Sequence, residues 1–291
     1  MKIVKIIGGL GNQMFQFALY EALRRRFPSE RVLLDLHCFK GYHKHRGFEL
    51  SAIFNVTYEE ATWQDNAKVA YPYPNYQCWR IGSHILPQRK TMLKEKADYA
   101  FEPTALTRQG DVYYDGYWQH EEYFEAIRSQ LLETFRFSPI RDEQNLQVAQ
   151  LVSSTKSCAV HVRRGDYVTD RLFRNICTKD YYEAAIIRIK ELADPEVFCF
   201  FSDDIAWCRE NLSAMTRKAQ TVYIDWNVGA DSFRDMQLMS LCSHQIIANS
   251  SFSWWGAWLN QNEDKCVIAP QKWWNLEHVY PPISTKWIRI S

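Results

Sequence analysis

Apolar and polar positions divide the chain into an irregular first half and a strictly patterned second half. Apolar residues 3–7 predict a strand, a glycine turn follows, and residues 32–36 predict a second strand. The helix between them shows apolar side chains at helical spacing: Met14, Phe15, Ala18, Leu19, Ala22 and Leu23. Residues 37–111 lack a regular pattern, and a further helix is predicted near 120–137.

After residue 157, strands and helices alternate. Strands are predicted at 158–163, 197–201, 221–224, 245–248 and 266–269. Helices are predicted near 179–193, 205–212, 232–243 and 254–261. This order is typical of a parallel sheet with helices on its faces. We place the domain boundary in the preceding helical stretch, which gives domains 1–150 and 151–291.

Composition narrows the class of protein. The 35 basic and 34 acidic residues leave a formal net charge of +1, without the basic excess of a nucleic-acid binder. The sequence shows neither a membrane-spanning run nor a secretion signal, because Asn12, Gln13 and Gln16 interrupt the first apolar stretch. The eight cysteines include no CxxC pair. We therefore expect a cytoplasmic protein with free thiols and no nucleic-acid partner.

Polar residues follow four of the predicted strands. They are "HVRRGDY" at 161–167, "SDD" at 202–204, "DWN" at 225–227 and "NSSFS" at 249–253. Ligands of open parallel sheets bind beyond the carboxyl ends of the strands. The pattern therefore predicts a ligand site in the second domain.

The first of these segments suits a phosphate group. His161 and Arg163 alternate along an extended strand and should share a face, whereas Arg164 points away. The forked guanidinium of Arg163 can grip two phosphate oxygens. For Arg164 we favour a structural ion pair with Asp166.

The serine-rich segment adds hydroxyls and amides just before a helix, which favours an anion site, although serines often merely cap helices. Asp235 could accept from a purine edge, with an exposed surface carboxylate as the alternative. The chain has no Asp-x-Asp motif, and Asp203 and Asp204 suit helix capping better than a cation. We therefore expect no metal and no cofactor.

The turn after the first strand carries Gly9 and Gly11, but Met14 replaces the third glycine of a dinucleotide fingerprint. The methionine argues against the interpretation that the protein is an NAD-dependent oxidoreductase. The 11 tryptophans suit sugar binding, although most tryptophans lie in protein cores.

Five segments together resemble the bacterial alpha-1,2-fucosyltransferases of glycosyltransferase family 11. They are "GGLGNQMFQFA" at 8–18, "DGYWQ" at 115–119, "HVRRGDY" at 161–167, "FSDD" at 201–204 and "NSSFSWWGAWL" at 249–259. Residues 36–50 and 71–111 match no motif of the family, and we expect acceptor choice to lie there.

The resemblance implies an α/β fold of the GT-B type, with two facing Rossmann-like domains, a cleft between them and the donor held mainly by the second. It implies GDP-beta-L-fucose as donor and a beta-galactoside glycan as acceptor. It also implies metal-independent inversion, which gives an alpha-1,2 linkage to the 2-hydroxyl of galactose.

The resemblance also assigns roles residue by residue. Arg163 matches the arginine that holds the diphosphate, and His161 the histidine beside it. The phosphate-binding turn is matched by Ser250, Ser251, Phe252 and Ser253. Ser202 of the "FSDD" motif is assigned to the donor, and Asp235 resembles a guanine-reading carboxylate of more distant enzymes.

The glycine turn resembles the loop that approaches the sugar diphosphate, with Gly9 and Gly11 allowing close approach. Asn12 would then lie near the reaction centre. Asp166 is the first candidate for the catalytic base, and Asp35 and His37 are alternatives as well as candidate acceptor ligands. An early departure of GDP would make a strong base unnecessary.

Rival hypotheses remain at this point. The chain could be another nucleotide-sugar transferase, including one that modifies a protein, or a non-catalytic carbohydrate-binding protein. A lipid-linked acceptor would suit peripheral association with the inner face of the membrane through residues 272–291, for which core packing is the alternative.

Overall fold

The computed structural model describes residues 1–42 and 44–291. The chain forms two compact units, Met1–Ser138 and Pro139–Ser291, and each contains one parallel sheet. The predicted α/β class, with the two parallel-sheet halves expected of a GT-B enzyme, is confirmed.

The sheet of the first unit has the strand order β2-β1-β4-β3. Its strands are β1 (Lys2–Lys5), β2 (Val32–Asp35), β3 (Met92–Lys94) and β4 (Val112–Asp115). Its helices are α1 (Leu10–Arg26), α2 (Leu50–Ile53), α3 (Trp63–Val69), α4 (Tyr76–Ile85), α5 (Thr104–Thr107) and α6 (Arg128–Thr134). The pattern predicted β1, β2 and α1 but missed β3, β4 and the short helices α2 to α5.

Helix α1 is more deeply buried than its apolar stripe predicts. All six predicted stripe residues are buried, and so are Phe17 and Tyr20 on other faces of the helix. Its buried polar side chains bind backbone groups: Gln16 accepts from Ile7 N at 2.9 Å and donates to Gly116 O at 3.0 Å. The helix is therefore fastened on several sides.

The helix predicted near 120–137 is interrupted. Two short 3-10 turns, Glu121–Tyr123 and Glu125–Ile127, precede α6. The predicted core side is nevertheless buried: Tyr123, Phe124, Ile127, Leu131 and Phe135. The apolar spacing thus predicted which side chains are buried, but not that 3-10 turns interrupt the helix.

The sheet of the second unit has the order β10-β9-β8-β5-β6-β7, with every pair parallel. Its strands are β5 (Ser157–Val162), β6 (Val197–Ser202), β7 (Gln220–Ile224), β8 (His244–Ile246), β9 (Val267–Pro270) and β10 (Ile288–Ile290). Its helices are α7 (Glu143–Ser154), α8 (Lys179–Ala193), α9 (Ile205–Leu212), α10 (Phe233–Leu241) and α11 (Ser251–Leu259). The predicted alternation is observed, with β10 as an addition at the sheet edge.

The division between the units lies earlier than the expected boundary after residue 150, because α7 packs with the second unit. Asn145 of α7 donates to Asn227 Oδ1 at 2.7 Å and accepts from Trp226 Nε1 at 2.9 Å. Ser157 Oγ, at the start of β5, donates to Val152 O at 2.8 Å.

The tryptophans of α11 form part of the core. Trp254, Trp255 and Trp258 are almost completely buried, and the rings of Trp254 and Trp255 lie 5.0 Å apart. All eight cysteines are free. Among the described helices, none combines the length and apolar character needed to cross a bilayer.

We expect Gly8→Ala to destabilise the protein more than Gly110→Ala. Both glycines have positive φ, +96° and +77°, which costs an alanine about 1–2 kcal/mol. A Cβ at Gly8 would also lie 2.8 Å from Asn12 Nδ2 and 3.0 Å from Asn12 Cβ, whereas nothing lies within 4 Å at Gly110. Thermal unfolding followed by circular dichroism measures the difference, and equal losses would contradict this account.

Candidate functional site

The end of β5 brings a cationic side chain between two carboxylates. Arg163 directly follows the strand, and its Nη2 donates to Asp166 Oδ1 at 2.6 Å. Its Nη1 lies 2.9 Å from Asp203 Oδ2, at the end of β6. The side chain keeps 36% of its surface exposed. The fork is thus oriented and still accessible to a ligand.

Asp166 pairs with Arg163, and the expected structural ion pair between Arg164 and Asp166 is wrong. Arg164 turns to the other side of the strand end, where its Nε lies 3.1 Å from Asp204 Oδ2. Its guanidinium also lies 4.3 Å from the ring centroid of Trp207. Asp166 belongs to the 3-10 turn Gly165–Val168, which carries its carboxylate back towards Arg163.

The two aspartates after β6 act as caps and acceptors. Asp204 Oδ1 accepts from Trp207 N at 3.1 Å and caps α9, as the sequence suggested. Asp203 Oδ1 accepts from Arg164 N at 2.9 Å, and Ser202 Oγ accepts from Asp204 N at 2.9 Å. Ser202 therefore shapes the strand end through the backbone.

His161 lies next to Arg163 but is buried, with 8% of its surface exposed. Burial and the charge of Arg163 lower the pKa of His161 to about 3, so the imidazole is neutral. Its Nδ1 is buried and makes no hydrogen bond within the described chain. The ring lies 5.9 Å from that of Phe252, which joins β5 to the serine turn.

The four residues of the serine turn differ in their roles. Ser250 Oγ accepts from Phe252 N at 3.3 Å and caps α11. Ser253 is fully buried, and its hydroxyl donates to Ala248 O and Ser250 O. Ser251 and Phe252 are half-buried at the start of the helix. The helix N-terminus therefore offers backbone N–H groups rather than the Ser253 hydroxyl.

Asp235 is a half-buried member of a polar network, not an exposed surface carboxylate. Asn227 Nδ2 donates to its Oδ1 at 2.8 Å, and Asn227 also bonds to Asn145 of α7. Burial raises the pKa of Asp235 to about 7. The carboxyl group can therefore change its charge near neutral pH.

A cavity of about 280 Å³ lies beside Arg163 in the second unit. Its cationic lining residues are Arg163, Arg164, Arg174 and Lys179. Tyr167 also lines it and stacks on Phe173, with ring centroids 4.4 Å apart. The cavity is thus suited to an anionic ligand with a flat or apolar part.

In the first unit, the glycine turn meets the "DGYWQ" segment. Asn12 Oδ1 accepts from Gln119 Nε2 at 2.7 Å. Gly8 has the positive φ, whereas Gly9 is extended and caps α1, and Gly11 is buried in the first helical turn. A Cβ on Gly9 would lie 3.1 Å from the His45 ring, so in this structure its missing side chain accommodates His45.

Asp35 and His37 form a closely bonded pair at the end of β2. Asp35 Oδ1 accepts from His37 N at 3.0 Å and lies 2.7 Å from His37 Nδ1, while Oδ2 accepts from Tyr113 OH at 2.6 Å. Burial alone would raise the pKa of Asp35, but the bonds from His37 and Tyr113 lower it. The bond to Asp35 raises the pKa of His37.

Sequence reasoning missed three charged residues at the same sheet edge. Lys5 at the end of β1 pairs with Asp115 at the end of β4, and its Nζ lies 3.8 Å from the Trp79 ring centroid. Glu95, just after β3, accepts from Tyr117 N at 2.7 Å and Trp118 N at 2.8 Å. Burial raises its pKa to about 7. Strand-end position signals Lys5, and Asp115 is the first residue of the "DGYWQ" motif, whereas Glu95 follows a strand that the pattern does not reveal.

Comparisons with known proteins agree with the geometry. Residues 88–290 match the family described as Glycosyl transferase family 11. An alpha-1,2-colitosyltransferase of Escherichia coli is 34% identical across 99% of this chain and 98% of that protein. The Escherichia coli O-antigen biosynthesis glycosyltransferase WbnK is 30% identical across 97% of this chain and 98% of that protein.

More distant matches include a mouse galactoside alpha-(1,2)-fucosyltransferase 2, which is 29% identical across 88% of this chain and 67% of that protein. Among solved structures, an Arabidopsis thaliana FUT1 mutant in complex with GDP is 12% identical and aligns with a TM-score of 0.49, covering 94% of this chain and 71% of that chain. The family match and the two full-length relatives show that this chain belongs to glycosyltransferase family 11.

Proposed function

We propose that this glycosyltransferase transfers L-fucose from GDP-beta-L-fucose to the 2-hydroxyl of a galactoside, with inversion to an alpha-1,2 linkage. The main support for the proposal is the cationic cavity at the end of β5, which is lined by Arg163, Arg164, Arg174 and Lys179. A nucleoside diphosphate leaving group needs such charge, and the carboxyl end of a parallel strand is where it binds.

Arg163 is the residue that we assign to the diphosphate. Asp166 and Asp203 hold its fork before the donor arrives, and diphosphate oxygens would replace them as acceptors. In the displacement, negative charge grows on GDP while the sugar becomes oxocarbenium-like. Arg163 stabilises that charge, with help from backbone N–H groups at the start of α11. We propose that these groups act without a metal ion.

The donor sugar has a second candidate, because one full-length relative is named a colitosyltransferase. Colitose is fucose without its 3-hydroxyl, so both sugars have the same ring shape. A site that hydrogen-bonds the 3-hydroxyl rejects the deoxy sugar strongly, whereas an apolar site discriminates little. Comparing GDP-fucose with GDP-colitose in one assay therefore shows which sugar the enzyme transfers.

We assign the acceptor to an aromatic surface of the first unit, formed by Tyr42, Tyr76 and Trp79. The rings of Tyr42 and Tyr76 lie 4.8 Å apart, and those of Tyr76 and Trp79 lie 5.7 Å apart. All three lie in the segments 36–50 and 71–111, where acceptor choice was expected. Aromatic faces pack against the C–H faces of a galactoside while its hydroxyls remain hydrogen-bonded.

The direct test is release of GDP from GDP-fucose and from GDP-colitose, in EDTA, with and without lactose. Acceptor-dependent release from GDP-fucose, with an alpha-1,2 linkage in the product, is the expected result. Release from GDP-colitose alone would replace the donor. Glycan binding without release from either donor would favour a carbohydrate-binding protein, and release abolished by EDTA would overturn metal independence.

We expect Arg163→Lys to lower kcat by about 10- to 100-fold. Lysine keeps the charge but cannot grip two diphosphate oxygens in a fork. Arg188→Lys is the matched control, because Arg188 is an exposed α8 residue paired with Glu191 and should tolerate the change. Steady-state kinetics of both variants decide the matter, and a fully active Arg163→Lys enzyme would remove Arg163 from the mechanism.

GDP-fucose should bind more tightly as the pH rises through about 7. Guanine presents N–H donors, which a charged Asp235 accepts, whereas burial raises the pKa of the free carboxyl group to about 7. Below that pH, binding should weaken by up to about tenfold per pH unit. Calorimetric titration between pH 6 and 8 measures the affinity for GDP-fucose, and the Asp235→Asn variant should bind GDP-fucose weakly at every pH. A pH-independent wild-type affinity would refute the guanine role.

A further inference from the structure

We propose that His37, oriented by the buried carboxylate of Asp35, is the base that takes the proton from the acceptor hydroxyl. This inference rests on the proposed function and names the group that completes it. His37 is the catalytic residue, and Asp35 is a positioning residue that acts through it.

Asp35 cannot serve as the base itself, because its side chain is 5% exposed and both oxygens have donors. Oδ1 faces the backbone N–H and the Nδ1 of His37, and Oδ2 accepts from the Tyr113 hydroxyl. Three donors from two elements fix the carboxylate at the end of β2. The Asp35 carboxylate therefore acts on the reaction only by orienting and polarising the ring of His37.

The 2.7 Å separation from Asp35 Oδ1 requires a proton on His37 Nδ1. The side-chain amide of Asn66 also lies beside this nitrogen, so Nδ1 is enclosed by protein groups. In the neutral ring the lone pair therefore lies on Nε2. The His37 side chain is 14% exposed, so part of its surface is accessible to solvent. A buried carboxylate that fixes the tautomer of a partly exposed histidine is the arrangement that a general base requires.

The pair lies next to the surface that we assign to the acceptor. His37 opens the 3-10 turn His37–Phe39, and Lys40 O, directly after it, accepts from Tyr76 N at 2.9 Å. The start of α4, with Tyr76 and Trp79, is thus tied to the turn that carries the base. The Tyr42 ring lies 6.4 Å from that of Phe39 in the same turn.

The charged groups that act on His37 are Asp35, Lys40 and Glu60. The bond to Asp35 is the largest influence and raises the pKa of His37, while Lys40 opposes it. A protonated ring cannot accept a proton, so activity should be lost as the pH falls through this raised pKa. Removing the charge of Asp35 should move the loss to lower pH.

In the transfer step, each bond that breaks is matched by one that forms. The acceptor O–H bond breaks and its proton moves to His37 Nε2, while the oxygen forms a bond to C1 of the donor sugar. The bond between C1 and the GDP oxygen breaks, and its electron pair leaves with GDP. His37 afterwards returns the proton to water.

The test compares His37→Gln, Asp35→Asn and Asp166→Asn with wild type in acceptor-dependent GDP release, and includes His84→Gln as a control. His84 is an exposed histidine of α4 that bonds to Arg80 O, so its replacement should leave kcat unchanged. We expect His37→Gln to lower kcat by about 10²- to 10⁴-fold while the Kd for GDP stays at the wild-type value. Asp35→Asn should lower kcat and shift the acidic limb of kcat/KM to lower pH.

A His37→Gln enzyme with kcat near that of wild type would overturn the proposal, and a large loss of kcat in Asp166→Asn alone, at an unchanged Kd for GDP, would then favour Asp166 as the base. If His37→Gln does not fold, the Asp35→Asn pH profile decides, since an unshifted limb would also overturn it. A wild-type protein that releases no GDP from either donor would instead overturn the proposed function, and this inference with it.

Discussion

The polar groups at the end of β1 have to be satisfied inside the protein, and much of the first unit follows from that requirement. Helix α1 is buried on several sides, so water cannot supply the partners. Gln16 bonds to Ile7 N and Gly116 O, and Gln13 bonds to Gly8 O, Gly47 O and Glu49 N. Two glutamines thereby hold the glycine turn, the "DGYWQ" segment and the loop before α2 in one arrangement.

In the second unit the constraint is different, because a cationic side chain has to stay oriented at the end of a buried strand. Arg163 is held by Asp166 and Asp203, while Arg164 is held by Asp204 and the ring of Trp207. Neighbouring arginines thus have separate partners. One fork stays oriented at the cavity, and the other stabilises the start of α9.

The sequence predicted the second unit well because its buried parallel strands are continuous apolar runs with polar residues at their ends. It predicted the first unit less well, because β3 has only three residues and α2 and α5 have only four residues each, too few to show a periodic face. Motifs singled out Arg163, His161 and Asn12 as candidates. They could not reveal that Asp166 pairs with Arg163, that the Ser253 hydroxyl donates to backbone carbonyls just before α11, or that Glu95 binds the backbone of 117–118, because these depend on side-chain direction.

The buried tryptophans of α11 restrict the conformation of the serine turn at the start of that helix. Trp254, Trp255 and Trp258 fix the helix by close packing on its interior side, and Ser250 caps its first turn. Under the proposed function, a turn anchored in this way would lose little conformational entropy when the diphosphate binds, and it could not adapt its shape to a poorly fitting ligand. The packing of the core would then decide the shape of this part of the donor site, and core substitutions remote from the ligand would alter donor selectivity.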